Sequence, residues 1–241
     1  MLEGSGAMII RLIYRNLLIL SPLIFSLIFS SSGFAGSAEA DPRIELEEMV
    51  AVFNAHAQTF DSDDVELVRA FNVFIDQRLS KHWDTQHMAI HLLKGAKYHS
   101  LSADQQRQIR QSLETTFYRY VYEILEGYRR APLVLVDDIY QGKEGKLRIK
   151  IRGKPRILPA LTGDLYLIKN ADGWAIIDAG YSSFTYISLK RRVYQRKLAR
   201  AGVSGLTAWL DEKNQRFFAD YCVPEIAIAM PAKVRALCKP V

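Results

Sequence analysis

The chain has little of the material from which catalytic and metal centres are usually built. Its 241 residues contain two cysteines, Cys222 and Cys238, and five histidines. With no CxxC spacing and no set of four Cys or His ligands, no metal-binding residues can be assigned. GxSxG, HExxH, Walker A, GxGxxG and EF-hand patterns are all missing, so no catalytic residues follow from motif either. Internal repeats and low-complexity tracts are also absent. Together with 49% apolar and 24% charged residues, this argues against collagen-like, repeat-fibre and wholly disordered architectures and for one globular domain.

Acidic residues are scarce in one part of the chain. Residues 41–104 carry six Lys or Arg against eleven Asp or Glu, whereas residues 105–241 carry 24 against 13. A basic second part points to anionic partners, either lipid head groups or an acidic protein face. Nucleic acid is not expected, because the N-terminus reads as an export signal. Arg11 and Arg15 precede a charge-free run of thirteen residues, Leu17 to Phe29, and a small-residue stretch ends Ala38-Glu39-Ala40. That is the layout of a cleaved signal peptide over residues 1–40, with Asp41 the first mature residue. As a helix the run would rise about 20 Å, short of the roughly 30 Å hydrocarbon core of a bilayer. Outside the cytoplasm Cys222 and Cys238 can close one loop, a constraint of about 3 kcal/mol. Two unpaired buried thiols fit the sequence equally well.

Periodicity places helices first. Leu46, Met49, Val50, Phe53, Ala57 and Phe60 recur at three- and four-residue spacing over residues 44–60. Asp61-Ser62-Asp63 offers capping chemistry for a second helix facing inward through Leu67, Val68, Phe71, Phe74, Ile75 and Leu79. A third follows Asp84 and stops at Gly95, and Ser102-Ala103-Asp104-Gln105 is a capping-box pattern opening the longest one. After Pro132 the pattern becomes alternating. Leu147-Arg148-Ile149-Lys150-Ile151-Arg152 has one dry and one cationic face. Further strands are expected over residues 164–169 and 174–179 about an Asn170-Ala171-Asp172-Gly173 turn. A basic helix then runs through Ile187, Tyr194 and Leu198 to Gly202, and Ser204 opens a short last helix. The expected class is α+β, with helices on one face of a curved four-stranded antiparallel sheet. A domain over residues 41–221 and a tail over 222–241 follow from the loss of periodicity after Cys222.

One polar cluster invites chemistry. Asp84, His87 and His91 project from one side of a helix and offer either metal ligands or an acid–base pair in a cone-shaped α+β enzyme. The simpler reading makes Asp84 an N-cap and the histidines solvated.

Several segments in order resemble the MlaC family, the periplasmic lipid carriers of bacterial phospholipid transport systems, also called toluene-tolerance auxiliary components. They are Asp84 to Leu93, Leu101 to Arg107, the positions Leu113, Phe117, Leu125 and Tyr128, Gly173-Trp174-Ala175-Ile176-Ile177-Asp178, and Lys197 to Gly202 with Gly205-Leu206. The chain departs from the family at Lys94, at Val121 where a Tyr is usual, and at Gly180-Tyr181-Ser182-Ser183 in place of a Glu-Gly-Val-Ser step. The resemblance implies a non-enzymatic carrier with cargo lipid and no cofactor. It further implies residence in the periplasm of a Gram-negative cell and exchange with an inner-membrane ABC transporter complex and an outer-membrane lipoprotein complex. A hopanoid-type lipid is the alternative cargo. On this reading Phe117, Val121, Ile124, Leu147, Ile149, Ile151, Trp174 and Ile176 are the expected lipid contacts. Arg148, Lys150, Arg152, Arg191 and Arg192 are the expected head-group rim or docking residues.

Overall fold

The computed structural model describes residues 41–128, 132–141, 146–153, 160–170 and 173–238, without the side chains of 137–141. The expected signal segment and the centre of the Asn170–Gly173 turn lie outside those residues. The described residues belong to one compact unit, Ala40–Val241.

Helix α1 (Pro42–Thr59) begins two residues before the apolar stripe predicts. Asp41 accepts the backbone N–H of Arg43 at 2.9 Å and Pro42 occupies the first helical position. The second helix, α2 (Val65–Phe74), is capped by Asp64 rather than by the preceding Asp61-Ser62-Asp63. The Asp64 carboxylate accepts the N–H groups of Glu66 and Leu67, while Asp61 is spent on the N–H of Asp63. A π-helical turn (Ile75–Leu79) and a 3-10 turn (Ser80–His82) carry the chain to α3 (Thr85–Leu93). Gly95 does not end that helix by itself; Lys94, at φ 69°, separates it from the short α4 (Gly95–His99). The capping box at Ser102 is present in both directions, with Gln105 N–H donating to Ser102 Oγ and Ser102 N–H to Gln105 Oε1. It opens α5 (Ala103–Tyr128).

The sheet is an antiparallel meander of five strands, not four, in the order β1 (Val134–Gln141), β2 (Lys146–Gly153), β3 (Leu161–Asn170), β4 (Gly173–Tyr181) and β5 (Phe184–Thr185). The additional strand is two residues long, below any periodic signal. It returns through Ser182-Ser183, with Ser182 at φ 58°, to pair Tyr181 with Phe184. Bulges in the β1/β2 and β3/β4 pairings bend the sheet. Thr185 and Ser188 then form a second capping box and Asp178 accepts the N–H of Ile187, together starting α6 (Tyr186–Phe218). The axis breaks at Gly202, whose φ of 63° favours glycine. Beyond it the helix expected to be short continues to Phe218.

The segment after Cys222 forms two single-turn helices, α7 (Pro224–Ala227) and α8 (Ala232–Arg235). It is stapled by the Cys222–Cys238 disulfide, Cα to Cα 5.3 Å. Ile226, Ala229, Met230 and Val234 pack into the same core as Phe60, Phe71, Tyr122 and Phe218. Asn72 fixes this segment, donating to the Ala229 carbonyl at 3.0 Å while accepting from the Tyr122 hydroxyl at 3.0 Å. The helices and the inner face of the sheet thus share one interior, and the opposite sheet face carries the cations of β2.

Candidate lipid-binding cavity

Alternation along β2 sends Leu147, Ile149 and Ile151 to the helical side, but their surroundings differ along the strand. Leu147 faces Leu167 in register and Ile149 faces Leu165. Against them pack Leu46 and Met49 of α1, and this end is filled, with Ile149 wholly buried. Ile151 faces Gly163 in register and is only partly buried.

At that end lies a cavity of about 130 Å³. Helix α1 supplies Leu46, Met49, Val50 and Phe53 to its wall, and α5 supplies Phe117, Val121 and Ile124. The latter three stand at i, i+4 and i+7 on one helical face. Leu79 and Trp83 come from the turns after α2, and Leu133, Ile151, Leu165 and Ile176 from the sheet side. No lining side chain is titratable. Ile124 is 42% exposed and marks the side nearest solvent. At another wall Trp83 stacks on Phe117 with ring centroids 4.6 Å apart. The main chain beside Trp83 is anchored to the sheet, since Asp84 N–H donates to the Ile176 carbonyl at 3.1 Å.

Among the described residues, the side chains of Asn54 and Glu45 tie α1 over this cavity. Asn54 donates to the Leu133 carbonyl and accepts the Leu133 N–H, both at 2.8 Å. Glu45 lies 3.2 Å from Nε2 of His82, whose Nδ1 is 3.1 Å from the Trp174 carbonyl. Chemically, such a wall can hold an apolar group by burial and dispersion, and it supplies no acid, base or nucleophile of its own.

Of the expected lipid contacts, Phe117, Val121, Ile124, Ile151 and Ile176 line the cavity. Leu147 and Ile149 belong to the filled end, and Trp174 packs partly buried against it. Helix α1, Leu79, Trp83, Leu133 and Leu165 were not among the expected contacts. The stripe of α1 is plain in the sequence, but helical spacing alone does not say which element it covers.

The expected rim does not surround the cavity. Arg148, Lys150 and Arg152 project from the opposite face of β2 by its two-residue period. Arg148 is further committed to Asp164, a side chain 5% exposed, at 2.6 Å, and it lies 5.7 Å from the centre of the Tyr166 ring. The hydrogen bond to Asp164 is the main cause raising the Arg148 pKa. Lys150 lies opposite Asp164 in register, and Arg152 is exposed. Arg191 donates through Nε to the His91 carbonyl at 2.8 Å, tying α6 to the end of α3, and Arg192 is exposed.

Asp84 acts as an N-cap, its carboxylate accepting the His87 N–H at 2.8 Å. The His87 and His91 rings stack with centroids 4.3 Å apart. Burial lowers the pKa of both; His91 adds to the effect at His87, and Arg191 does so at His91. Among the described residues no three His, Cys, Asp or Glu side chains are grouped closely enough to hold a metal ion.

Helices and antiparallel meander together surround an all-apolar cavity. The chain is similar in structure to the phospholipid-binding protein from Ralstonia solanacearum, solved in complex with a phospholipid. The TM-score is 0.60 at 19% identity, over 74% of this chain and 99% of that one. At this identity the likeness establishes a common α+β fold. No protein-family model matches the chain, and no curated protein matches it by sequence.

Proposed function

We propose that the protein is a periplasmic lipid carrier, exported with loss of residues 1–40, that holds the acyl chains of a phospholipid in the cavity beneath α1. The observation that carries this reading is the lining itself: thirteen side chains from helix and sheet converge without one titratable group. The shared fold with a phospholipid-binding protein supports it. Exposing a sixteen-carbon chain to water costs roughly 0.8 kcal/mol per CH₂, on the order of 13 kcal/mol per chain, so lipid crosses an aqueous compartment slowly without a carrier. A dry cavity lowers that barrier by burial, with no covalent step and no cofactor.

At about 130 Å³ the cavity is smaller than the roughly 300–1,000 Å³ of ordinary ligand sites, so uptake requires it to widen. Helix α1 is the element to move, because its hold on the sheet side runs through the Asn54 and Glu45 ties as well as apolar contact. The carrier takes lipid from one membrane complex and delivers it to another, an outer-membrane lipoprotein complex and an inner-membrane ABC transporter complex. Transfer of a labelled phospholipid between donor and acceptor vesicles tests this. The carrier reading expects transfer to accelerate with protein concentration, and a rate equal to the protein-free control would overturn it.

A further inference from the structure

Between Asp178 and Asp211 the chain has no acidic residue, while it carries Lys190, Arg191, Arg192, Arg196, Lys197 and Arg200. The structure divides these six. Arg191 is bonded to the His91 carbonyl, Lys190 lies in the field of Glu123, and Lys197 lies 5.6 Å from the Trp209 ring centre. The other three are exposed, and none of them has an ion pair among the described residues.

Leu189, Val193, Arg196 and Arg200 recur at i, i+4, i+7 and i+11, one helical face, and Arg192 flanks it. Leu189 is 58% exposed and Val193 38%, and at the chain entry to the helix the paired Tyr181 and Phe184 are 55% and 59% exposed. Four of the eleven large apolar side chains exposed among the described residues thus fall between Tyr181 and Val193, which makes them a concentration rather than scatter. Three guanidinium groups beside half-exposed aliphatic chains, with two rings at one end, match the chemistry of a bilayer interface. Phosphates there meet bidentate donors, and apolar tips enter the boundary below them. None of the described helices is long and apolar enough to cross a membrane, so the contact is peripheral.

We infer that the outer face of α6 from Leu189 to Arg200, with the Tyr181–Phe184 turn, is a docking surface for an anionic phospholipid bilayer. It acts directly on the membrane and is separate from the cavity. This inference does not depend on the cavity holding lipid.

The test is flotation of the full chain with vesicles of phosphatidylglycerol and phosphatidylcholine, against vesicles of phosphatidylcholine alone, at low and high salt. Binding is expected only with the anionic vesicles, weakening as salt rises. The triple reversal Arg192→Glu, Arg196→Glu, Arg200→Glu is expected to lower apparent affinity by at least about tenfold. The triple lysine replacement retains most of it, and Phe184→Ser with Leu189→Ser lowers it at either salt. A melting temperature within wild-type range for each variant shows that folding is intact, and the lipid extracted from the variants reports on the cavity separately. No flotation of the wild-type chain, or equal flotation of the charge-reversed one, overturns the inference. Capture of an acidic protein by α6 without vesicle binding overturns it in favour of a protein partner.

Discussion

The core beneath the C-terminal segment and the cavity beneath α1 use the same residue types, yet one is filled and the other is not. In the first, Phe71 is wholly buried, with Tyr122 edge-on at 5.2 Å and Phe60 at 5.5 Å. Tyr122 is held by its hydroxyl donating to Asn72, which donates in turn to the Ala229 carbonyl, and the disulfide fixes the segment behind them. In the second, aliphatic side chains share the wall with the rings of Phe53, Trp83 and Phe117, none of the lining side chains is titratable, and Asn54 and Glu45 tie the covering helix beside it. Rings that interlock and bond to their neighbours specify one arrangement. A largely aliphatic wall with room inside it allows several, which is what a site for flexible chains requires.

The largest effect that separates the two regions is expected at Phe71. Phe71→Ala should cost about 3–5 kcal/mol in urea unfolding. A loss below ~1 kcal/mol would show that this core is no better packed than the cavity. Next is the staple: Cys222→Ser with Cys238→Ser should lower stability by about 3 kcal/mol while leaving cavity binding unchanged, read by the same titration and by lipid content. Third comes a matched pair on one strand. Ile149→Trp overfills the closed end and should cost about 1–3 kcal/mol or more, whereas Ile151→Trp enters the cavity and should cost less than about 1 kcal/mol. Equal losses would erase the distinction between the two ends of β2.

The smallest effect is one of pH. Burial is the leading cause lowering the pKa of His56, His87 and His91, so below about pH 6.5 the unfolded chain binds protons that the folded chain resists. Their stabilising contribution is therefore complete above that value and declines on acidification. Burial raises the Asp211 and Glu123 pKa values, which acts in the opposite sense. The melting temperature should fall between about pH 7.5 and 5.5. His56 packs against Phe71 and Phe74 in the filled core, so His56→Gln isolates that region's share of the slope. A melting temperature that rises over this interval would contradict the assignment.

How much of this was legible in the sequence follows from the range of each signal. Caps and periods are local: the capping box at Ser102, the stripe of α1 and the alternation of β2 predict elements the structure contains. Beyond Cys222 the turns are too short to show a period, and their order comes from a disulfide and from Asn72, which bonds across 157 residues of chain. The cavity was half legible. Phe117, Val121 and Ile124 share a helical face, and Ile151 shares one with Leu147 and Ile149, but which of these strand residues borders the cavity depends on what α1 and the turns after α2 bring against them. The cations of β2 expected at a rim or docking face lie away from the cavity for a related reason. Arg148, Lys150 and Arg152 obey the period that makes their neighbours apolar, and that same period turns them away from the cavity.

The central claim is that the cavity beneath α1 is a lipid site, and native mass spectrometry with solvent extraction tests it most directly. The chain is expressed with export to its natural compartment, and wild type and Ile151→Trp are compared. The account predicts wild-type protein carrying a mass that extracts as a diacyl phospholipid, and Ile151→Trp folded but without it. Wild-type protein that has the bare chain mass and keeps it after incubation with phospholipid vesicles would contradict the account.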